Sequence, residues 1–239
     1  MRRDPAPTTR EPKPTPTGGK ITGLTPQRRD SERVNVAIDG EFSFGLGLDI
    51  VLRESLAVGD LLDTARVAAL IAADERGKAT TAGLSLLAYR SRSEREIRDR
   101  LKLKGFSLGA IDEAVSRLDG WGYLNDASFA RAWVENRATH QPRGERLLAH
   151  ELRQKGIASD VIAETLVEAG IDEAAAALEL GRAKLRSYRG LEAPVARRRL
   201  GGFLTRRGFG YDVVGPVLDQ LLTAAVDELD GGTGEDAEG

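Results

Sequence analysis

The sequence predicts a mainly α protein. Three tandem three-helix repeat units form an elongated helical body, preceded by a small β-hairpin-containing N-terminal domain. Three observations carry this reading. Gly105, Gly156 and Gly208 recur 51 and 52 residues apart within one frame of apolar residues. Asp39-Gly40 divides two alternating runs. The apolar period changes from two to that of a helix near Asp63.

Residues 1–19 are rich in Pro, Thr and charge and hold almost no apolar side chains. They bury too little surface to offset ordering entropy and are expected to be disordered. Residues 20–79 are read as a small β-rich domain with a trailing helix. Val34, Val36 and Ile38 alternate with Arg33, Asn35 and Ala37, and Glu41-Phe42-Ser43-Phe44 follows the Asp39-Gly40 pair. Asp-Gly between such runs signals a hairpin, because a type I′ turn needs positive φ at both central residues. Lys20 to Thr25 is a candidate third strand. Gly45-Leu46-Gly47 lacks the third glycine and the following helix of a nucleotide loop, so it is read as a strand end.

The repeats are placed at 80–126, 127–172 and 173–223, and an acidic tail at 224–239 is expected to be disordered. Four places before each recurring glycine stand Leu101, Leu152 and Leu204; eight before stand Ile97, Leu148 and Leu200. Phe106, Ile157 and Phe209 follow immediately. Ile111, Ile162 and Val214 come next, then Val115, Leu166 and Leu218. Two amphipathic helices joined at a glycine corner fit this spacing. Glycine suits the left-handed residue that ends a helix. Ser107, Ser159 and Asp212 are placed to cap the following helix. A first helix precedes each pair, over about 81–90, 128–138 and 173–186. Gly201-Gly202 falls inside a middle helix and puts its straightness in doubt.

Gly105-Phe106-Ser107-Leu108-Gly109 matches the pattern of a hydrolase nucleophile elbow. An elbow needs a strand before the serine and a histidine beside it. The preceding residues 93–104 are helical in period, and the chain has only His140 and His150. Ser107 is therefore read as corner chemistry. No metal-ligand spacing or Walker loop is present, and no cofactor is implied. Trp121, Tyr123 and Trp133 are expected in the core.

Hydrophobic residues make up 41% and charged residues 30%, which suits a soluble protein with long helices. There is no cysteine, so disulfides and thiolate metal sites are excluded; a reducing cytoplasm is the expected setting. No apolar run is long enough to span a membrane, and the basic N-terminus lacks the apolar segment of a secretory signal. The net charge of −2 conceals an asymmetry: residues 80–222 carry 23 basic and 19 acidic side chains, while residues 223–239 carry 6 acidic and none basic.

Helix-turn-helix readers of duplex DNA place the helix after the turn in the major groove. Here those helices carry Asp112 and Glu113, then Asp160, Glu164 and Glu168, then Asp212 and Asp219, which phosphates would repel. The positive charge falls on the middle helices. Arg143, Arg146, His150 and Arg153 follow helical spacing on one face. Arg92, Arg95 and Lys102 take matching places in the first repeat. Arg198 matches in the third, joined by Arg197, Arg199, Arg206 and Arg207. Lys104, Lys155 and Arg207 precede the corner glycines and face the negative helix ends. This set is expected to form a basic ridge for a polyanion backbone or an acidic protein groove.

Leu87-Ala88-Tyr89-Arg90-Ser91-Arg92-Ser93, with Glu96, Leu101 and Lys104-Gly105-Phe106, resembles the opening of RecX proteins, regulators of the RecA recombinase. So do Gly122-Tyr123-Leu124-Asn125-Asp126 with Phe129-Ala130 and Trp133, and Arg143-Gly144 with Glu151-Leu152 and Lys155-Gly156-Ile157. The resemblance covers residues 80–222, and 20–62 resembles the N-terminal extension of longer members. It implies tandem three-helix units and a non-enzymatic role: binding RecA and the RecA–single-stranded-DNA filament, and restraining ATP hydrolysis, strand exchange and coprotease activity. A monomer is expected. A nonspecific DNA-binding module and an unrelated helical interaction scaffold are the alternatives.

Overall fold

The computed structural model describes residues 16–230, with side chains to Thr223. Of the segments expected to be disordered, 1–19 and 224–239, residues 1–15 and 231–239 lie outside the described residues; Gly19 instead begins a strand and 224–230 continue a helix, which corrects the expectation there. The described residues form two compact units, 16–85 with 101–118 and 86–100 with 119–230. Four strands and ten α-helices are present among them.

The first unit opens with an antiparallel sheet. β1 (Gly19–Gln27), β2 (Asp30–Ile38), β3 (Glu41–Gly47) and the short β4 (Leu61–Leu62) lie in the order β3-β2-β1-β4. Asp39 and Gly40 have φ of 51° and 91°, the left-handed pair that the expected turn requires. Alternation aims Val34, Val36, Ile38, Phe44 and Leu46 into one core with Ile21. Leu62 and residues of two helices, α1 (Leu48–Arg53) and α2 (Thr64–Tyr89), complete it. α2 is one 26-residue helix that joins the trailing helix and the separate 81–90 helix read from the sequence.

A buried ion cluster pins β3 to α2. The Arg33 guanidinium donates to both Asp74 carboxylate oxygens at 3.0 and 3.1 Å and to the Gly45 carbonyl at 3.1 Å. Gly47 N–H donates to Asp74 at 2.9 Å, and Lys78 Nζ lies 2.6 Å from it. Gly45-Leu46-Gly47 is thus a strand end held to a helix. Burial alone would raise the Asp74 carboxyl, but the bonds from Arg33 and Lys78 outweigh it and hold it below the ordinary range.

The repeat supplies the remaining helices. α3 (Glu94–Leu103), α6 (Glu145–Gln154) and α9 (Ala193–Arg206) are the middle helices. α4 (Leu108–Gly120), α7 (Ser159–Ala169) and α10 (Tyr211–Asp230) follow the corners, and α10 runs past the end expected at 222. α5 (Asp126–His140) and α8 (Glu173–Leu185) open the second and third repeats, and a 3-10 turn (Arg186–Tyr188) follows α8. Every apolar frame position on the middle helices is buried: Ile97, Leu101, Leu148, Leu152, Leu200 and Leu204.

Gly105, Gly156 and Gly208 have φ of 86°, 86° and 94°, so each ends its middle helix in the left-handed region. The N-cap places are Ser107, Ala158 and Gly210 rather than Ser159 and Asp212; Ala158 makes no side-chain cap. Ser107 is fixed to α2. Its N–H and Oγ–H both donate to the Glu75 carboxylate at 2.8 Å, which uses the hydroxyl as a structural tie.

A joint recurs inside the second compact unit. Ser93, just before α3, donates its Oγ–H to the carbonyl of Lys155 at 2.7 Å. One repeat on, Gly144 N–H, just before α6, donates to the carbonyl of Arg207 at 2.9 Å. Both acceptors are the residue preceding a corner glycine. Each corner therefore docks on the start of the preceding middle helix. A Cβ added at Gly156 would meet Arg95 Cβ and Cδ at 2.6 Å, and one at Gly208 would collide with Leu147 Cβ. Gly105 has no such neighbour within 4 Å.

The glycine pair in α9 does not break it. A Cβ at Gly201 would meet Leu218 Cδ1 at 3.3 Å, so its absence allows α10 to approach closely. Phe129 and Val134 are buried as expected in a core, and Trp133 packs beside them. Trp121 and Tyr123 are not core residues. They are 55% and 59% exposed, edge to face at 6.5 Å, because the turn at Gly122 sends them outward while Leu124 fills the buried place.

Candidate functional site

The sequence set of thirteen basic residues divides, in the structure, into those committed to internal bonds and those facing solvent. Arg92 is half-buried, and its Nε–H donates to the Leu86 carbonyl at 3.1 Å. Burial, with the nearby Arg90 charge, lowers its guanidinium from the usual value. Arg143 precedes α6 instead of standing on its face, since Gly144 is the N-cap. It pairs with Glu151, and burial together with the like charges of Arg137 and Arg207 lowers its guanidinium.

Lys155 is also engaged. Its Nζ lies 2.6 Å from Glu96 and 4.8 Å from the Trp133 ring centroid. Arg137 stacks on the same ring at 4.4 Å, and Trp133 Nε1–H donates to Glu151 at 2.8 Å. Glu96 also accepts from Arg90 at 3.0 Å. Burial pushes the Glu96 carboxyl up, but the hydrogen bonds from Arg90 and Lys155 prevail and hold it low. These residues form a polar girdle around an indole.

The remaining members face water. Arg95 lays its stem over Gly156 and has Asp99 at 4.0 Å. Arg197 pairs with Asp219 at 2.7 Å. Lys102, Lys104, Arg146, Arg153, Arg198, Arg199 and Arg206 are exposed, and no carboxylate among the described residues pairs with them. Arg207 is half-buried over the Phe203 ring at 5.3 Å and likewise has no carboxylate partner. Unpaired surface cations of this kind carry the field that draws in polyanions or acidic protein faces.

Two concavities lie among them in the second compact unit. One, of about 540 Å³, is lined by His140, Arg143, Leu147, Arg206 and Arg207. The other, of about 680 Å³, runs between α9 and α10, with Arg197, Arg198, Arg206 and Tyr211 around Gly201 and Gly202. His140 and Tyr211 were missed as site candidates by sequence reasoning. No periodic signal points to them: His140 meets Arg206 and Arg207 from more than 60 residues away, and Tyr211 lies off the apolar frame of its helix. Among the described residues, no group of three His, Asp or Glu side chains is placed to hold a metal ion. No described helix is long and apolar enough to cross a membrane.

Comparison with known proteins accounts for the domain order. The regulatory protein RecX N-terminal domain matches residues 19–63. The first, second and third RecX three-helix domains match residues 79–118, 125–166 and 171–218. The regulatory protein RecX of Clostridium botulinum (strain Alaska E43 / Type E3) is 31% identical over 208 residues, covering 85% of this chain and 96% of its own length. That of Bacillus subtilis (strain 168) is 32% identical over 202 residues, covering 84% and 76%. A crystal structure of regulatory protein RecX superposes with a TM-score of 0.69 at 27% identity, over 84% of this chain and 98% of that one. A crystal structure of RecX from Lactobacillus salivarius shares the fold, with a TM-score of 0.57 at 22% identity, over 62% and 97%. The repeated corners, the sheet domain before them and these likenesses agree: this chain belongs to the RecX family of regulatory proteins.

Proposed function

We propose that this protein binds the RecA recombinase and its single-stranded-DNA filament and modulates, mostly by inhibition, ATP hydrolysis, strand exchange and coprotease activity. The observation that carries the proposal is the match of all four RecX domains, in order, along residues 19–218. The role is regulatory and non-enzymatic, in line with relatives named as regulatory proteins. It belongs to homologous recombination, DNA repair and the SOS response, in the cytoplasm, and the protein acts as a monomer. The exposed arginines of α6 and α9 supply the contact.

The test is single-stranded-DNA-dependent ATP hydrolysis by the cognate RecA with this protein added well below one copy per recombinase. Strong suppression is the expected result. An unchanged rate would overturn the inhibitory reading. A second reading, a DNA-binding module independent of recombinase, is favoured by the seven exposed cations without carboxylate partners among the described residues. It predicts binding to naked DNA that weakens steeply with salt, with no effect on hydrolysis.

A further inference from the structure

We propose that the hollow at the joint between the second and third repeats binds a backbone phosphate of single-stranded nucleic acid, and that the strand continues into the α9–α10 groove. The inference deepens the nucleic-acid contact of the preceding section by naming the site and the form of the ligand.

The first hollow has anion chemistry. Arg143, Arg206 and Arg207 converge on it with His140, and no acidic side chain among the described residues lines it. Arg143 is itself paired with Glu151 and donates to the Gln141 side-chain oxygen at 3.1 Å, so it adds charge to the hollow; its Nε alone is buried with no hydrogen-bond partner among the described residues. Among the described residues, Arg206 and Arg207 have no carboxylate within ion-pair distance. Three guanidinium groups in a concave setting focus a positive field, and a phosphate supplies the acceptors that Arg206 and Arg207 lack. The crowding is visible in Arg143, whose guanidinium is lowered by burial and then by the charges of Arg137 and Arg207.

The second groove decides the class of polyanion. It shares Arg206 with the first hollow, so the two are contiguous at that side chain. Its floor is apolar, built on Gly201, Gly202 and Leu218, while Arg197 and Arg198 stand on its rim. Tyr211 lies beside it with 77% of its surface exposed. A free phosphate has no use for an apolar floor and an exposed ring. A duplex keeps its bases stacked inside. An unpaired strand offers alternating charge and flat apolar faces, which is what cationic grooves with aromatic platforms accept.

The test uses the full chain and a fluorescent oligothymidylate, with anisotropy measured across a salt series. R206Q/R207Q is expected to lower the slope of log affinity against log salt by about 1.4, at about 0.7 for each lost contact with a single strand. R206Q alone, which leaves the Arg207–Phe203 stack intact, lowers it by about 0.7. Y211A weakens binding by about fivefold or more with the slope unchanged, as loss of one stacked base would. R189Q, outside both hollows, leaves binding as it is. Thermal melting checks that each variant is folded. Inorganic pyrophosphate at equal phosphate concentration, and duplex DNA at equal nucleotide concentration, are expected to compete poorly. A slope unmoved in both R206Q and R206Q/R207Q overturns the site, as does an equal loss in R189Q. Displacement by pyrophosphate would assign the hollow to free phosphates instead, and equal competition by duplex would remove the single-strand assignment. Loss of recombinase binding with oligonucleotide binding intact would make it an acidic-protein site, which also overturns the proposal. These readings are on naked nucleic acid, so their failure is distinct from failure of the ATP-hydrolysis test.

Discussion

The hydroxyl of Ser93 donates to the carbonyl oxygen of Lys155 at 2.7 Å, across 62 residues of sequence. Ser93 is fully buried, and its oxygen also accepts from Glu96 N–H at 3.3 Å, so one side chain caps α3 and holds the corner of the next repeat. The backbone N–H of Gly144 performs the second task one repeat later, at the Arg207 carbonyl. Replacing Ser93 by alanine removes a cap and leaves a buried acceptor short of its donor. The expected cost is about 2 kcal/mol, read by urea denaturation against the parent protein. A change within a few tenths of a kcal/mol would show that the joint carries no energy.

The corner glycines should rank by neighbour as well as by dihedral. Gly105→Ala meets only the left-handed penalty, about 1 kcal/mol. Gly156→Ala and Gly208→Ala meet that penalty and a collision with Arg95 or Leu147. Melting temperatures of the three variants check the order, with Gly105→Ala the mildest.

Glu151 holds the girdle together, accepting from Trp133 at 2.8 Å and Arg137 at 3.1 Å and pairing with Arg143. Its side chain is 11% exposed. Glu151→Ala strands two partly buried guanidinium groups and an indole N–H. A loss of about 3 kcal/mol is expected. Trp133 emission, shifting to longer wavelength at lower urea concentration than in the parent, reports it.

Acid should weaken both units through their depressed carboxyls. Glu96 and Asp74 have folded-state values below their unfolded ones. Their contribution is therefore present above the ordinary carboxylate range, about 3.9 to 4.3, and is lost as pH falls through the folded values. Asp126, pushed up by burial, works in the opposite sense. Glu96→Gln should be less stable than the parent at neutral pH and should lose less on acidification. Urea titrations at pH 7 and at about pH 3.5 measure both.

The ridge is best tested without its structural members. Arg95 packs over Gly156, and Arg143 and Lys155 are ion-paired, so changing them confounds binding with folding. Arg146→Glu with Arg198→Glu alters two exposed side chains that have no carboxylate partners among the described residues. This double variant should bind the recombinase filament at least about tenfold more weakly at low salt while melting like the parent. Unchanged filament binding would dismiss the ridge.

The sequence by itself determined what depends on near neighbours along the chain. Asp39-Gly40 sets its hairpin because both residues must take positive φ. The frame around Gly105, Gly156 and Gly208 sets three helix pairs because burial of Leu101, Leu152 and Leu204 follows helical period. Ser107 was legible as a corner residue because a helix precedes it. Tertiary structure alone decided which cations are available. Arg143 and Lys155 look like ridge residues by spacing, yet Glu151 and Glu96 claim them, and Glu96 lies 59 residues from Lys155. The pairing of Ser93 with Lys155 and the meeting of His140 with Arg206 have the same origin. Period and turn chemistry act over a few residues, whereas a charge is free or bound according to what packs against it from elsewhere in the chain.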